Sequence, residues 1–573
     1  MTNQKIADIF ERIANLLEIK GGNKYKVMAY RRVAESIRQQ TANLSIMDIK
    51  ALKKIPGVGQ AIAEKILELS STGGLAFLSK LENEVPSTLI EILQVQNVGP
   101  KKTALFWRQA GITNLQELET AARSGVLRHL PSMGKKSEAR ILANIKALKQ
   151  RGKRYPINKA KTIAEKWLEI LGKFPLVERV EAAGSLRRWK PTVGDLDLVA
   201  ASKNPTMVMK FFLNQPGIAH ILSQGDHKSS ISLKNGLNIQ LWIQPPERYG
   251  SLLQFATGSK EHNIRIRELA QKHGLSLSER GFIDSSLKEI LCKKEIEIYS
   301  HLDLSWIPPE LREDQGEIQS ALEKRLPELI KIRDIIADLH THVNWSSEKS
   351  SFTEIARAAV KRGLHILAIT DPSPQLAPNS HLEKQLTALR FKELDDVQAE
   401  MGNDLLLLQG IEVHILPDGK LDCSDKVLAK KDVVIASLQY KLDQPRDQIT
   451  KRLIKAIRNP HVNIIGHPIS HTKGRHESTD IDWEKVLTAA QKYNVALEIN
   501  SNPLHLELDE NITRRAIESG VLISINTDAH NAEDLDNLQY GVAIARRGWA
   551  EKKHIINAWP KDKILRWLKG KEI

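Results

Sequence analysis

The chain has 573 residues and a formal net charge of +15, and this length exceeds a single hydrophobic core, so we expect three to five domains. Residues 1–160 hold 27 Lys and Arg against 13 Asp and Glu, so nearly all of the excess is N-terminal and favours a polyanionic partner there. Two distant cysteines, Cys292 and Cys423, argue against a disulfide framework, and no apolar run reaches membrane-spanning length. We therefore expect a soluble, intracellular protein with no membrane partner.

The first third combines predicted helices with glycine turns. Apolar spacing predicts helices over 4–19, 26–40 and 44–53. Pro-Gly-Val-Gly (56–59) then predicts a tight turn that only glycine tolerates, followed by a helix whose free amide groups can grip a phosphate. One such turn would be ordinary helix packing, but the design recurs at 97–102 and at 131–136, where lysines add charge.

Three phosphate-gripping turns predict DNA binding that recognises structure and tolerates any sequence, because phosphate contacts give affinity and register without reading bases. The candidate DNA-binding residues in these turns are Gly57, Gly59, Gly99, Lys101, Lys102, Gly134, Lys135 and Lys136.

The stretch 184–199 reads GSLRRWKPTVGDLDLV and carries the strongest chemical signal. Asp195 and Asp197 lie two apart in a strand-like run, so both carboxylates face the same way. Hard oxygen ligands of this kind suit Mg²⁺ bound together with substrate phosphates, which Ser185 and Arg188 could hold. The alternative is an exposed acidic strand end beside an unrelated basic turn.

In the C-terminal third, seven apolar runs alternate with helical ones and predict a parallel β/α barrel, with function at the C-terminal strand ends. The runs are 335–343, 365–371, 405–415, 432–440, 462–467, 495–500 and 521–528. Histidines and carboxylates follow several of these runs, and this pattern indicates a metal site. A lone histidine would more often be structural.

Together, KVMAYRRVAESI (26–37), KKIPGVGQAIAEKI (53–66), GSLRR and GDLD resemble a family X DNA polymerase. The resemblance continues through LQFATGSKEHNIRIRELA (253–270) and WIPPELREDQGEI (306–318), covers about residues 1–320, and is closest to the bacterial branch with a C-terminal PHP domain. It implies a multidomain fold: all-α helix-hairpin-helix domains, an α/β nucleotidyltransferase palm with a thumb, and a (β/α)7 PHP barrel. We expect a lyase-like domain at 1–85, fingers at 86–152, palm at 153–250, thumb at 251–318, a linker at 319–334 and the PHP domain at 335–573.

The resemblance also assigns roles. Lys65 matches the deoxyribose-phosphate lyase nucleophile, while Lys26 and Tyr30 match its 5′-phosphate pocket. Asp195 and Asp197 match two of three palm aspartates that bind Mg²⁺ or Mn²⁺. The positions that match nucleotide-binding residues are Gly184, Ser185, Arg188, Gly194, Phe255, Gly258, Asn263 and Arg267.

The palm departs from the family pattern at two positions. The third aspartate is replaced by Gln240, and Asp226 lies before the preceding strand, where it is a poor substitute. The Tyr-Phe pair that screens the nucleotide sugar is Phe255-Ala256 here. An amide supplies neither the charge nor the base that a two-metal site uses, so we expect weak polymerisation.

The PHP pattern has nine ligands for three metals, and six are matched: His340, His342, Glu412, His467, Asp528 and His530. The other three positions hold Ser347, Pro372 and Gln439. We expect one intact site, made by His340, His342, Glu412 and Asp528, with Zn²⁺ or Mn²⁺ in an incomplete cluster. His381, His414 and His471 lie near the motifs, but we expect none of them to replace a lost ligand.

Two functions follow. The first is a family X repair polymerase, monomeric and cytoplasmic at the bacterial nucleoid, that binds gapped or nicked DNA and dNTP, with weak nucleotidyl transfer and with lyase and 3′–5′ exonuclease functions. The second is a DNA gap- or end-binding scaffold whose catalytic centres have decayed. The intact nucleotide motifs favour the first, and the replaced ligands favour the second.

Overall fold

A computed structural model describes residues 3–38, 44, 47–95, 98–151, 154–343, 351–373, 392–439, 441–469, 480–503 and 505–570. The chain forms two compact units, Met1–Lys153 and Arg154–Ile573. Across these described ranges, no helix combines the length and the apolar composition needed to cross a membrane.

The N-terminal unit is all-helical. Its helices are α1 Asn3–Lys20, α2 Lys24–Arg38, α3 Ile49–Leu52, α4 Gln60–Thr72, α5 Ala76–Glu84, α6 Leu89–Ile92, α7 Pro100–Ala110, α8 Leu115–Arg123 and α9 Lys135–Arg151. Helix α1 is central because Ile6, Phe10 and Ile13, at helical spacing, are fully buried, and α2, α5 and α7 pack against it. Each such buried side chain stabilises the fold by about 1.5–3 kcal/mol.

The helix predicted over 44–53 is wrong in extent, because among the described residues of that range only Ile49–Leu52 are α-helical. Asp48 has extended backbone angles, and its side chain accepts a hydrogen bond from the Ala51 amide at 2.7 Å. Aspartate competes for backbone amides in this way and therefore begins helices in preference to continuing them.

The second unit opens with a palm, whose strands are β1 Tyr155–Pro156, β2 Arg179–Ala182, β3 Thr192–Val193, β4 Asp195–Ala201, β5 Ile218–Ser223, β6 Lys228–Leu233 and β7 Asn238–Gln244. Strands β1 and β3 pair with each other, and the other five form a sheet in the order β2-β4-β7-β6-β5, in which only β4 and β7 run parallel. The accompanying helices are α10 Ile157–Gly172, α11 Gly184–Arg187, α12 Pro205–Leu213 and α13 Tyr249–Thr257.

A thumb follows, with a three-stranded antiparallel sheet. It contains α14 Lys260–Lys272, β8 Ser276–Ser278, β9 Gly281–Ile283, β10 Glu289–Ile290, α15 Glu295–Ser300 and α16 Glu317–Leu322. A buried ion-pair group ties thumb to palm, because Arg187 and Arg312 both bond to Glu295 Oε1 at 2.6 Å.

The C-terminal part is a nearly closed barrel of seven parallel strands in sequence order. The strands are β11 Ala337–Thr341, β12 Ile366–Ile369, β13 Leu406–His414, β14 Val433–Ser437, β15 Ile464–Gly466, β16 Ala496–Asn500 and β17 Ile523–Asn526. The helices are α17 Phe352–Lys361, α18 (392–401), α19 Asp425–Leu428, α20 Arg446–Ile457, α21 Trp483–Lys492, α22 Glu510–Glu518, α23 Leu538–Arg547 and α24 Lys561–Gly570. Each strand lies within a predicted apolar run, and the predicted fold class is confirmed.

The barrel closes just beyond its last strand. The His342 amide donates to the Ala529 carbonyl at 2.8 Å, and the Asp528 amide donates to the His340 carbonyl at 3.0 Å. These bonds bring the end of β11 beside the residues that follow β17, so ligands from the two ends of the barrel sequence meet at one edge.

Candidate functional sites

The glycine turns of the N-terminal unit present open amide ends of helices. Gly59 and Gly99 are the residues before α4 and α7, and no side chain caps either helix. A Cβ atom added to Gly59, Gly99 or Gly134 would meet nothing within 4 Å, so these backbones are open to a phosphate. Lys101, Lys102, Lys135 and Lys136 stand in the first turns of α7 and α9.

The expectation that only glycine tolerates the turn is wrong at the third copy. Gly57 has φ +83°, and Ser132 adopts φ +60° at the matching position. A serine pays a modest steric penalty there, and short polar side chains are among those that accept left-handed angles. The second copy begins with Asn97, which lies outside the described residues.

Lys65, Lys26 and Tyr30 meet around one aromatic ring. The Nζ atoms of Lys65 and Lys26 lie 5.3 and 5.0 Å from the centroid of the Phe77 ring, and Tyr30 stacks on that ring at 6.0 Å. Two cations beside one ring form an electropositive cluster with an aromatic centre. No local sequence pattern connects Phe77 with Lys65, because Phe77 lies on α5 while Lys65 lies on α4.

In the palm, Asp195 and Asp197 lie on β4 and share the half-buried face, while Leu196 between them is buried. Strand β7 runs parallel beside them in a register that pairs Asp197 with Gln240. Gln240 Nε2 donates a hydrogen bond to Asp195 Oδ2 at 2.7 Å. The residue at the third-carboxylate position therefore contacts the first carboxylate as a neutral donor, where an acid would share a metal with it.

Asp226 does not substitute for the missing acid. It lies in the loop before β6, and its Oδ1 accepts a hydrogen bond from Thr206 Oγ1 at 3.4 Å.

Burial, reinforced by the charge of Asp195, raises the pKa of Asp197 to about 7 in the absence of metal.

The glycine that opens the turn at 184–188 is required by space. Gly184 has φ +57°, and a Cβ atom there would lie 2.1 Å from Asp197 Oδ2. The backbone of the turn thus passes directly against the carboxylate, and only glycine permits this approach.

A cavity of about 560 Å³ joins the turn to α13 and α14. All eight predicted nucleotide-binding residues and both aspartates line it, together with three cations that the sequence analysis did not single out. Those cations are Arg154, Lys190 and Lys260. A pocket with two carboxylates at one side and several cations at the other suits a metal-bound polyphosphate.

Hydrogen bonds hold the side chains of this pocket in place. Arg188 Nη1 donates to the Thr257 carbonyl at 2.5 Å, and its Nε donates to Glu313 Oε1 at 3.0 Å. Asn263 Nδ2 donates to the Phe255 carbonyl at 2.8 Å, and Arg267 Nε donates to the Asn263 carbonyl at 3.2 Å.

The barrel gathers all six matched PHP residues at one end. His342 Nε2 lies 3.0 Å from Asp528 Oδ1 and 3.9 Å from Glu412 Oε2, and His340 Nε2 lies 3.7 and 4.0 Å from the same two atoms. His467 Nε2 lies 3.7 Å from Glu412 Oε1. Among the residues that the structure describes, three overlapping groups of three ligand atoms could each hold a metal ion: His340–His342–Glu412, His340–His467–Asp528 and His342–Asp528–His530.

Supporting residues that the sequence analysis missed lie on β16, where Glu498 and Asn500 are fully buried. Glu498 Oε1 lies 2.7 Å from His340 Nδ1, and Asn500 Nδ2 donates to Asp528 Oδ2 at 3.0 Å. By bonding to Nδ1, Glu498 orients the His340 ring so that its Nε2 faces the other candidate metal ligands. The missed signal is Ala-Leu-Glu-Ile-Asn (496–500), an apolar strand with two polar residues on one face.

Charge is concentrated at this end of the barrel. Burial alone would lower the pKa of His340, but Glu498, Asp528 and Glu412 outweigh it and raise the pKa to about 10 in the absence of metal. Burial alone would raise the pKa of Asp528, but His340, His342 and His467 hold it far below its usual range. A divalent cation could take over this compensation of the carboxylates.

The unmatched PHP positions also have structural consequences. Pro372 pairs with Glu412 through the backbone and has no side-chain ligand atom. Gln439 Nε2 donates to Glu412 Oε1 at 3.2 Å, where a histidine was expected. His414 is buried at the end of β13, and its amide bonds to Asp422. Ser347, His381 and His471 lie outside the described residues.

The chain is similar over nearly its whole length to a bacterial protein named as a polymerase and exonuclease. The DNA polymerase/3'-5' exonuclease PolX of Bacillus subtilis (strain 168) is 36% identical over 572 residues, covering 99% of this chain and 100% of that protein. A probable phosphatase of Thermoanaerobacter sp. (strain X514) is 34% identical over 249 residues, 42% of this chain and 96% of the relative. A probable phosphatase of Caldanaerobacter subterraneus subsp. tengcongensis is 30% identical over 253 residues, 42% of this chain and 94% of the relative.

Three family models match shorter segments. The model described as DNA polymerase beta thumb matches residues 252–313. A helix-hairpin-helix domain matches residues 1–75, and a SAM-like helix-hairpin-helix tandem matches residues 89–147. The first helix-hairpin-helix match includes the glycine turn at 56–59, and the second includes the turns at 97–102 and 131–136. The thumb match includes Gly258 and α14.

Proposed function

The chain belongs to the bacterial PolX family of family X DNA polymerases, and from that premise we propose that it fills short gaps in DNA with dNTP-derived nucleotides, slowly. It is a DNA polymerase, a nucleotidyltransferase that binds DNA and uses divalent metal. We propose in addition that its substrate is gapped DNA, that the palm cavity binds dNTP, and that the reaction is slow.

The observation that carries the proposal is the 560 Å³ cavity, which is lined by the two aspartates and by every residue predicted to bind nucleotide. Asp195 and Asp197 supply hard oxygen ligands that fit Mg²⁺ or Mn²⁺, and such ions neutralise phosphate charge and activate a 3′-hydroxyl. Ser185 and Arg188 would hold the triphosphate, while Asn263 and Arg267 would face the new base pair. Phe255 and Ala256 would border the sugar.

Extension of a one-nucleotide gap, with Mg²⁺ or Mn²⁺, tests this function. We expect template-directed addition of one nucleotide by the wild-type chain and its loss in Asp197→Asn. Asp226→Asn is the matched control, because that carboxylate lies in the loop before β6 and outside the cavity, and it should retain the wild-type rate. Equal activity of Asp197→Asn and wild type would show that this pocket is not the polymerase site.

We further propose that the first helices carry a deoxyribose-phosphate lyase site with Lys65 as its nucleophile. The support is the cluster around Phe77, where Lys26 places a second cation beside Lys65 that would hold the 5′-phosphate of a cleaved abasic site. Borohydride should trap a covalent adduct between the chain and a cleaved abasic site. Lys65→Ala should abolish the adduct, and Lys80→Ala, an exposed lysine on α5, should not. A persistent adduct in Lys65→Ala would assign the nucleophile elsewhere.

For the barrel, we propose one tightly bound divalent metal, Zn²⁺ or Mn²⁺, held by His340, His342, Glu412 and Asp528. Imidazole with carboxylate suits these ions, and a bound ion polarises a phosphoester and its attacking water. Weak 3′–5′ exonuclease activity follows from the incomplete cluster. We expect metal analysis to give about one tight ion per chain, and Asp528→Ala to release it. Rapid exonuclease activity that vanishes in Asp528→Ala would contradict the incomplete cluster.

The decayed gap-binding scaffold remains a second candidate, favoured by one observation. At both centres a glutamine amide bonds to a ligand carboxylate, Gln240 to Asp195 and Gln439 to Glu412. Tight binding of gapped DNA without any extension in Mg²⁺ or Mn²⁺ would select the scaffold over the polymerase.

A further inference from the structure

The phosphate-binding turn of the palm rests on the C-terminal barrel through three consecutive residues. The carbonyl of Arg188 accepts a 2.7 Å hydrogen bond from Arg547 Nη1. The ring of Trp189 meets Tyr540 edge to face, with 6.3 Å between centroids. Lys190 Nζ lies 3.3 Å from Glu510 Oε1. Two of these three palm residues, Arg188 and Lys190, also line the nucleotide cavity.

Arg547, the last residue of α23, is the centre of this contact, and its side chain is 1% exposed. Its Nη2 donates to Glu510 Oε1 at 2.6 Å, and its Nη1 lies 3.2 Å from Glu313 Oε1. The same Glu313 oxygen accepts from Arg188 Nε at 3.0 Å and lies 3.4 Å from Lys190 Nζ. One thumb carboxylate is therefore shared by one barrel cation and two pocket cations.

The charges of this group decide what the pocket can offer to a phosphate. Burial alone would raise the pKa values of Glu313 and Glu510, but the neighbouring cations lower both, so both carboxylates are ionised. The group contains three cations and two anions, a net charge of +1, and without Arg547 the net charge is zero. The two carboxylates would then neutralise Arg188 and Lys190 fully.

We propose that Arg547 is a positioning residue of the nucleotide pocket: by occupying Glu313 and Glu510 it leaves the charges of Arg188 and Lys190 for the triphosphate. This inference rests on the proposed function, which assigns the cavity to dNTP. The barrel domain thereby sets the affinity of the polymerase site, independently of its own metal chemistry. The competing explanation is that Arg547 only fastens the barrel to the palm.

The two explanations predict different changes in dNTP affinity for two substitutions. Arg547→Met removes the barrel cation and should weaken dNTP binding about tenfold, the effect of losing one charge-assisted hydrogen bond. Glu510→Gln removes an anion, so it leaves more of the charge of Lys190 for phosphate and should strengthen dNTP binding about two- to fivefold. If both residues only fastened the domains, both substitutions would weaken binding or leave it unchanged.

The experiment measures the Kd of a dNTP for the full chain on one-nucleotide-gapped DNA with a dideoxy primer end and Mg²⁺, so that no turnover is needed. Arg546→Met is the matched control, because Arg546 lies on the same helix and bonds to Glu310 and to the Ile330 carbonyl, at 2.8 Å each, without touching the turn. It should leave Kd unchanged, and Arg547→Lys should fall between wild type and Arg547→Met. Unchanged metal content of the barrel should confirm that each variant is folded.

Arg188→Ala separates failure of this inference from failure of the proposed function. If Arg188→Ala does not weaken dNTP binding, the assignment of the cavity itself is wrong. If it does, the inference is overturned when Arg547→Met binds as wild type, when Arg546→Met weakens binding equally, or when Glu510→Gln weakens it. The Glu510→Gln result also decides the matter should Arg547→Met fail to fold.

Discussion

Restoring the third palm carboxylate should raise the polymerase rate. Gln240 pairs in register with Asp197, and its amide donates to Asp195 Oδ2 at 2.7 Å. Gln240→Asp replaces this donor with a carboxylate beside the other two. Gln240→Asn is the matched control, because asparagine has the shape of aspartate without its charge.

The magnitude follows from two opposing effects. Without metal, the substitution removes a hydrogen bond to a charged group, about 1.5–3 kcal/mol, and adds a like charge that repels its neighbours by on the order of 3–4 kcal/mol at 4–5 Å. With metal bound, the added carboxylate would help to hold the ion that would activate the primer hydroxyl. If this lowers the activation barrier by about 3–5 kcal/mol, the rate should rise about 10²–10⁴-fold.

Single-turnover extension of a one-nucleotide gap at saturating dNTP, in Mg²⁺ and in Mn²⁺, measures this gain. We expect Gln240→Asp to exceed wild type by the stated factor, and Gln240→Asn to gain nothing. In a chelator, Gln240→Asp should unfold at a lower temperature than wild type, and added metal should reverse this. A wild-type rate equal to that of Gln240→Asp would refute the argument, because the glutamine would then not be limiting.

Three further outcomes are expected. Gly184→Ala should lower the extension rate at least about 10²-fold, because its Cβ would displace Asp197, whereas Gly217→Ala, which shares a positive φ of +91° but meets nothing within 4 Å, should not change it. Glu498→Gln should weaken metal binding in the barrel about 10–100-fold in a chelator competition, as expected for loss of the residue that orients His340; an unchanged affinity would remove Glu498 from the site. Because burial and Asp195 raise the pKa of Asp197 to about 7, Mn²⁺ must displace its proton at lower pH, so palm affinity should fall as pH drops below 7 and level off above it; a flat profile in titration calorimetry would contradict the raised pKa.

Much of the fold and of the palm site could be predicted because the signals are local. Asp195 and Asp197 share a face by strand alternation alone, and the neighbouring turn is contiguous with them in sequence. The barrel was predictable for the same reason, since each strand lies within one local apolar run. The prediction of a helix over 44–53 was wrong at its start, because Asp48 caps α3 and so begins the helix at Ile49.

The missed residues depend on tertiary packing. Phe77 meets Lys65 from another helix, and Glu498 is hidden within an apolar strand until the barrel closes around His340. Arg547 is more than 350 residues from Arg188, and no periodicity connects them. Charge arrangements made by docked domains are therefore the part of a site that sequence patterns alone do not specify.

The two altered metal centres follow the same chemistry. In each, a glutamine replaces an expected ligand and donates its amide to a remaining carboxylate, Gln240 to Asp195 at 2.7 Å and Gln439 to Glu412 at 3.2 Å. An amide donor satisfies a carboxylate that would otherwise depend on a cation, so it stabilises the metal-free site and competes with the metal. Each glutamine should therefore lower metal affinity in two ways, by replacing a ligand and by giving the remaining carboxylate another partner. We expect this effect to be larger in the palm, where two carboxylates remain, than in the barrel, where His340, His342, Glu412 and Asp528 can still hold one ion.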